Sequence, residues 1–161
     1  MKLEPKFALR LQFLARVVRK ECLYLGMTDS RLFEESSSFT VEQVAQLEED
    51  MDLAERVEAF VSRFGRLQDT LADKLLPQLL VALGEKTASA IDNFDKAERL
   101  GFFHSVDDWI SMRNLRNQMV HENVEDPVLL ANALQTGHLF VPYLLSAANK
   151  MLAQIEQRGW L

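Results

Sequence analysis

Turn-formers are scarce in this chain: 161 residues include only 6 Gly and 4 Pro. With little β-branched clustering and many Leu, Ala, Glu, Gln and Arg, that scarcity excludes a sheet-rich or loop-rich fold and favours helix. The single cysteine, Cys22, excludes an internal disulfide and a thiolate metal cluster. It falls in a helical stripe with Leu11, Leu14, Val18 and Leu25, which predicts a buried core thiol. The three histidines, His104, His121 and His138, have neither cysteine partners nor a His-Glu-x-x-His spacing, so no metal and no cofactor is expected. No stretch approaches roughly 18 uncharged apolar residues, and Met1-Lys2-Leu3-Glu4-Pro5 lacks the apolar core of a secretory signal. The expected location is the cytoplasm, without a membrane partner.

What is present is enough apolar matter for one core. At 48% hydrophobic residues, a chain of this length fits a single helical domain spanning 1–161. Its net charge of −6 excludes a general nucleic-acid binder, because nonspecific affinity for phosphates comes from Lys and Arg. Any engagement of RNA must therefore be local. Glu48, Glu49, Asp50, Asp52 and Glu55 concentrate the negative charge, and Arg10, Arg16, Arg19 and Lys20 balance it on the first helix as solvated faces.

Apolar residues at helical spacing (Phe7, Leu11, Leu14, Val18, Cys22, Leu25) predict a first helix from about Lys6 to Met27. A polar connector follows to Phe39, and Thr40 with Gln43 forms a capping box. The stripe Val44, Leu47, Met51, Ala54, Val57, Val61, Phe64, Leu67, Leu71 and Leu75 predicts a second long helix, bent or ended near Leu76 by Pro77, before Gly84 stops what continues. A third helix is expected from Thr87 to Leu100 through Ala90, Ile91, Phe94 and Ala97, with Gly101 as its C-terminal cap. Ser105 caps a short helix, and Asp126-Pro127 opens a last one carrying Leu130, Leu134, His138, Val141, Leu145, Ala148, Leu152 and Ile155, with bends at Gly137 and Pro142. The predicted fold is all-α: a four-helix up-and-down bundle with an additional short helix. Phe102, Phe103 and Trp109 read as core, His138 as a satisfied core or interface histidine, and Gly159-Trp160-Leu161 as an exposed or frayed end.

The chemistry concentrates at Arg116-Asn117-Gln118-Met119-Val120-His121. A fixed cation, an amide and an imidazole within six residues suit phosphate chemistry. On a regular helix Met112, Leu115 and Met119 face the core, while Arg113, Asn114, Asn117 and His121 face away. Arg116 flanks the core, about 140° around from His121. For the two to meet on one phosphate, either the last turn unwinds near Val120 or they meet across a dimer interface.

The spacing Arg-x4-His, with Asn after the Arg, resembles the signature of the HEPN superfamily, helical domains found as ribonuclease toxins and as partners of minimal nucleotidyltransferases. The resemblance implies metal-independent RNA cleavage, with His121 moving the proton of the 2′-hydroxyl or of the leaving oxygen and Arg116 stabilising the phosphorane. Asn117 would orient the imidazole or the phosphate, and Arg113 and Asn114 would be outer contacts. It also implies a homodimer with the motif at a symmetric cleft, a minimal nucleotidyltransferase as antitoxin partner, and RNA or a nucleotide as ligand. In the segment from Arg63 to Thr70, the second long helix of such proteins brings a polar or acidic group toward the motif, a role that falls to Asp69. Asn123 stands where one subgroup carries a tyrosine that receives a nucleotide, which puts that regulation in doubt. Two alternatives stay open: a noncatalytic nucleotide- or protein-binding module for a nucleotidyltransferase, and a structural role in which His121 sits at a helix C-terminus while Arg116 pairs with Glu122 or Asp69.

Overall fold

The computed structural model describes residues 2–35, 38–121 and 126–161, and of His121 the backbone only. The predicted roles of the His121 side chain, Glu122 and Asn123 lie outside the described residues. Among the described residues seven α-helices run in chain order: α1 Pro5–Leu32, α2 Val41–Ala45, α3 Met51–Asp69, α4 Leu76–Ala82, α5 Ala90–Arg99, α6 Val106–His121 and α7 Pro127–Gln157. A 3₁₀ turn, Gln46–Glu48, separates α2 from α3, and a π-helical segment, Thr70–Leu75, joins α3 to α4. The fold is all-α, with no strand among the described residues.

Four long helices surround the core. α1 packs on α3, α3 on α6, α6 on α7, and α7 back on α1. Between them lies one cluster of buried apolar side chains, including Leu11, Leu14 and Val18 of α1, Phe60 and Phe64 of α3, Trp109 and Met119 of α6, and Leu134 and Ile155 of α7. Phe102 and Phe103 join it, and Trp109 stacks on Phe103 at 4.1 Å.

The helix ends follow their side chains. Thr40 and Gln43 make the reciprocal capping box, Ser89 caps α5, and Asp126 accepts from the amides of Val128 and Leu129 with Pro127 at the first turn. Gly84 and Gly101 close α4 and α5 with φ of 80° and 84°, a left-handed conformation that a Cβ would oppose.

The structure departs from the sequence reading at four places along the helices. First, α1 continues to Leu32, because Thr28 and Asp29 are satisfied by distant groups rather than by a local turn. Arg63 donates to the Thr28 hydroxyl and to the Tyr24 carbonyl, and Asp29 pairs with His138. Second, the stripe begun at Val44 is not one helix: Asp50 accepts from the Leu53 amide at 3.0 Å and starts α3 afresh, leaving Met51 exposed. Third, α5 turns Phe94 and Ala97 inward but leaves Ile91 and Leu100 exposed. Fourth, the chain end is tucked in rather than frayed, since Trp160 is buried and its carbonyl accepts from Gln12 Nε2 at 3.0 Å.

Cys22 is half-buried rather than buried, and desolvation pushes its thiol up to about 11. α7 runs unbroken through Gly137 and Pro142, and its best window reaches a mean hydropathy of 1.3, enough by length and composition to cross a membrane. Here Leu130, Leu134, Leu144, Met151 and Ile155 of that helix are spent on the core.

Candidate functional site

Pro77 has no N–H to give, and its ring crowds the carbonyl of Asp73. The chain answers with the π-helical turn just before it, where the Leu76 amide reaches the Leu71 carbonyl, and the helix then continues to Ala82. This extra residue positions Thr70, Asp73 and Lys74 on the same side as Val61, Ser62, Gly65, Arg66 and Asp69 of α3. Arg116 and Val120 of α6 form the opposite wall. The cleft between them has a volume of about 470 Å³.

Arg116 is the best-defined group in it. Its Nη1 donates to Asp69 Oδ1 at 3.0 Å and its Nη2 lies 2.9 Å from Oδ2, a two-pronged pair that fixes the guanidinium plane. Gly65 makes room for the shaft of that side chain. A Cβ built there would lie 2.8 Å from Arg116 Nε and 3.2 Å from its Cγ. A guanidinium has five N–H donors, and Asp69 engages two. The other three remain for an oxyanion in the cleft.

The remaining charges alternate in sign: Arg66 and Lys74 against Asp73. Behind Thr70 sits Glu21 of α1, which accepts from the Thr70 hydroxyl at 3.0 Å while its other oxygen is buried without a partner among the described residues. Burial raises the Glu21 carboxyl above its ordinary 4.5, and the Thr70 hydrogen bond and the charges of Arg66 and Lys74 oppose that shift. Because the folded chain resists this ionisation, Glu21 stabilises the fold relative to neutral pH only when protonated, and that contribution is lost as pH rises through the carboxylate range. Glu21→Gln is accordingly expected to raise the melting temperature at pH 7, with the gap to the parent closing as pH falls below 4.5. Thermal unfolding followed by circular dichroism across pH 3–8 checks this.

The sequence-predicted residues divide. Asp69 and Arg116 meet, as both the reading of the second long helix and the structural alternative for Arg116 anticipate. Met112, Leu115 and Met119 are buried as expected. Arg113 instead places its guanidinium 5.7 Å from the Phe94 ring centre, and Asn114 and Asn117 are exposed outside the cleft lining. α6 stays helical through His121, so the turn does not unwind at Val120. Gly65, Arg66, Thr70, Lys74 and Glu21 escaped the sequence reading. Gly65, Arg66 and Thr70 lie in the segment from Arg63 to Thr70 that the resemblance touches, where Asp69 alone is given a role.

His138 is accounted for elsewhere. Its Nδ1 lies 2.6 Å from Asp29 Oδ1 and its ring stacks on Phe33 at 4.0 Å, the satisfied histidine that its stripe predicts. Among the described residues no cluster of His, Cys, Asp or Glu could hold a metal ion. No protein-family model, no curated protein and no solved structure matches the chain.

Proposed function

We propose that this chain is a HEPN-type helical domain, similar to the toxin half of a minimal nucleotidyltransferase pair, that cleaves RNA without a metal as a homodimer. The observation that carries the reading is Arg116, oriented by both oxygens of Asp69 beside an open cleft. It precedes His121 by five positions on one helix. His121 acts as general acid or base on the 2′-hydroxyl or the leaving oxygen, and Arg116 stabilises charge on the phosphorane. Helical continuity through His121 supports the dimer, because two groups about 140° apart on one regular helix serve one phosphate more readily from two copies.

A second reading has its own support. Asp69 and Asp73 bring two carboxylates to the cleft of a chain with net charge −6, and one of them already holds Arg116. Those charges oppose free RNA and favour a noncatalytic module that binds a nucleotide or a protein beside a nucleotidyltransferase. Expression of the parent chain and of His121→Ala separates the two. Growth arrest with RNA breakdown, both lost on substitution, is the expected result; equal harmlessness of the two chains favours the binding module.

A further inference from the structure

The outer side of α1 carries a second pattern, independent of the Arg116 cleft. Leu9, Phe13, Arg16, Lys20, Leu23 and Met27 follow one another at alternating steps of four and three, the spacing of a heptad seam. This line lies opposite the buried one of Leu11, Leu14, Val18 and Leu25. Nothing among the described residues covers it: Leu9 is 64% exposed, Phe13 47%, Leu23 58% and Met27 55%. A soluble helix ordinarily turns such residues inward.

The pattern along the seam is apolar, cationic, apolar. Leu9 and Phe13 form one end, Leu23 and Met27 the other, and Arg16 and Lys20 the middle. The guanidinium carbons of Arg10 and Arg16 lie 5.6 and 6.0 Å from the Phe13 ring centre, flanking it with charge. At the far end Cys22, Leu23, Gly26 and Met27 line a shallow apolar groove of about 490 Å³, and a Cβ at Gly26 would meet nothing within 4 Å. That is room for an incoming side chain.

Charge separates the occupants. α1 holds six of the chain's 18 Lys and Arg, all six exposed, and only two of its 24 Asp and Glu. Both acids turn inward, Glu21 to Thr70 and Asp29 to His138. The face therefore has no carboxylate of its own. A second copy of α1 would set Arg16 and Lys20 against cations whether the helices ran parallel or antiparallel, because the charges sit at the centre of the stripe. A membrane surface would draw the same two cations into its apolar layer, since they occupy the midline and not the margins.

We infer that this face of α1 docks an amphipathic helix of another protein, one with apolar residues at both ends of its stripe and carboxylates at the two central positions. Such a partner would lie along roughly 27 Å of α1. Its carboxylates would meet Arg16 and Lys20, and its end residues would fill the Phe13 and Gly26 regions.

A labelled synthetic helical peptide of about three heptads, with Leu at the end core positions and Glu at the two central ones, serves as the probe. Fluorescence anisotropy with the full chain is expected to show binding at least about tenfold tighter than for the same peptide with Lys at those positions. Arg16→Glu with Lys20→Glu reverses the preference, and Leu23→Glu weakens both peptides. Failure of the Glu peptide to bind, equal binding of both peptides, or indifference to the charge reversal overturns the inference. So does self-association of the chain that Leu23→Glu abolishes, or a preference for phosphatidylserine vesicles over the Glu peptide.

Discussion

Arg116→Ala is expected to lower RNA cleavage by the purified chain about a thousandfold, the scale on which a positioned donor stabilises a developing oxyanion. The same substitution barely touches the fold. Arg116 and Asp69 remain 35% and 43% exposed, and pairs this open to water contribute under about 1 kcal/mol to stability. The contrast between a large kinetic effect and a small thermal one distinguishes a functional guanidinium from a structural salt bridge. Arg116→Lys is expected to recover little, because an ammonium cannot meet both oxygens of Asp69 in one plane and so loses its fixed direction. Asp69→Asn tests the positioning: the charge of Arg116 stays, its orientation loosens, and the fall in rate is smaller than for Arg116→Ala. Single-turnover cleavage of a labelled RNA alongside thermal melts reads all three.

Phe60→Ala has the largest expected effect on stability, about 3–5 kcal/mol. Phe60 is fully buried, packs edge-on against Phe33 at 5.7 Å, and contacts Phe64 at 5.8 Å. From α7, Gly137 approaches so closely that a Cβ there would lie 3.2 Å from the ring. The ring thus joins α3, α7 and the end of α1, and its loss leaves a cavity in a closely packed core. For a chain of this size the melting temperature falls by about 10 °C. Urea unfolding should show a lower midpoint with an unchanged slope.

Local chemistry was legible in the sequence, and distant satisfaction was not. Thr40 with Gln43, Gly101, Ser105 and Asp126-Pro127 each act on their own or the next turn, so spacing alone reads them. Thr28 and Asp29 look like turn-formers until Arg63 and His138, 35 and 109 residues away, satisfy them and let α1 continue. The stripe across Val44 to Met51 keeps helical period through a break, because periodicity reports which side is apolar and not whether the backbone is continuous. Pro77 announced a disturbance, but nothing local says that it is absorbed by a π turn that carries Thr70 and Lys74 to the cleft. The Asp69–Arg116 contact is legible in two ways, as the acidic group that the resemblance brings toward the motif and as the ion pair of the structural alternative, whereas no local spacing shows that Gly65 is the space that Arg116 fills.

The measurement that bears most directly on the central claim mixes two inactive chains, Arg116→Ala and His121→Ala, after dissociation and reassociation. If Arg116 of one copy and His121 of the other serve the same phosphate, each mixed dimer rebuilds one intact site, and random pairing restores about a quarter of the parent activity. Recovery near that level is the predicted result. A mixture as inactive as its components, from chains shown to exchange, would contradict it.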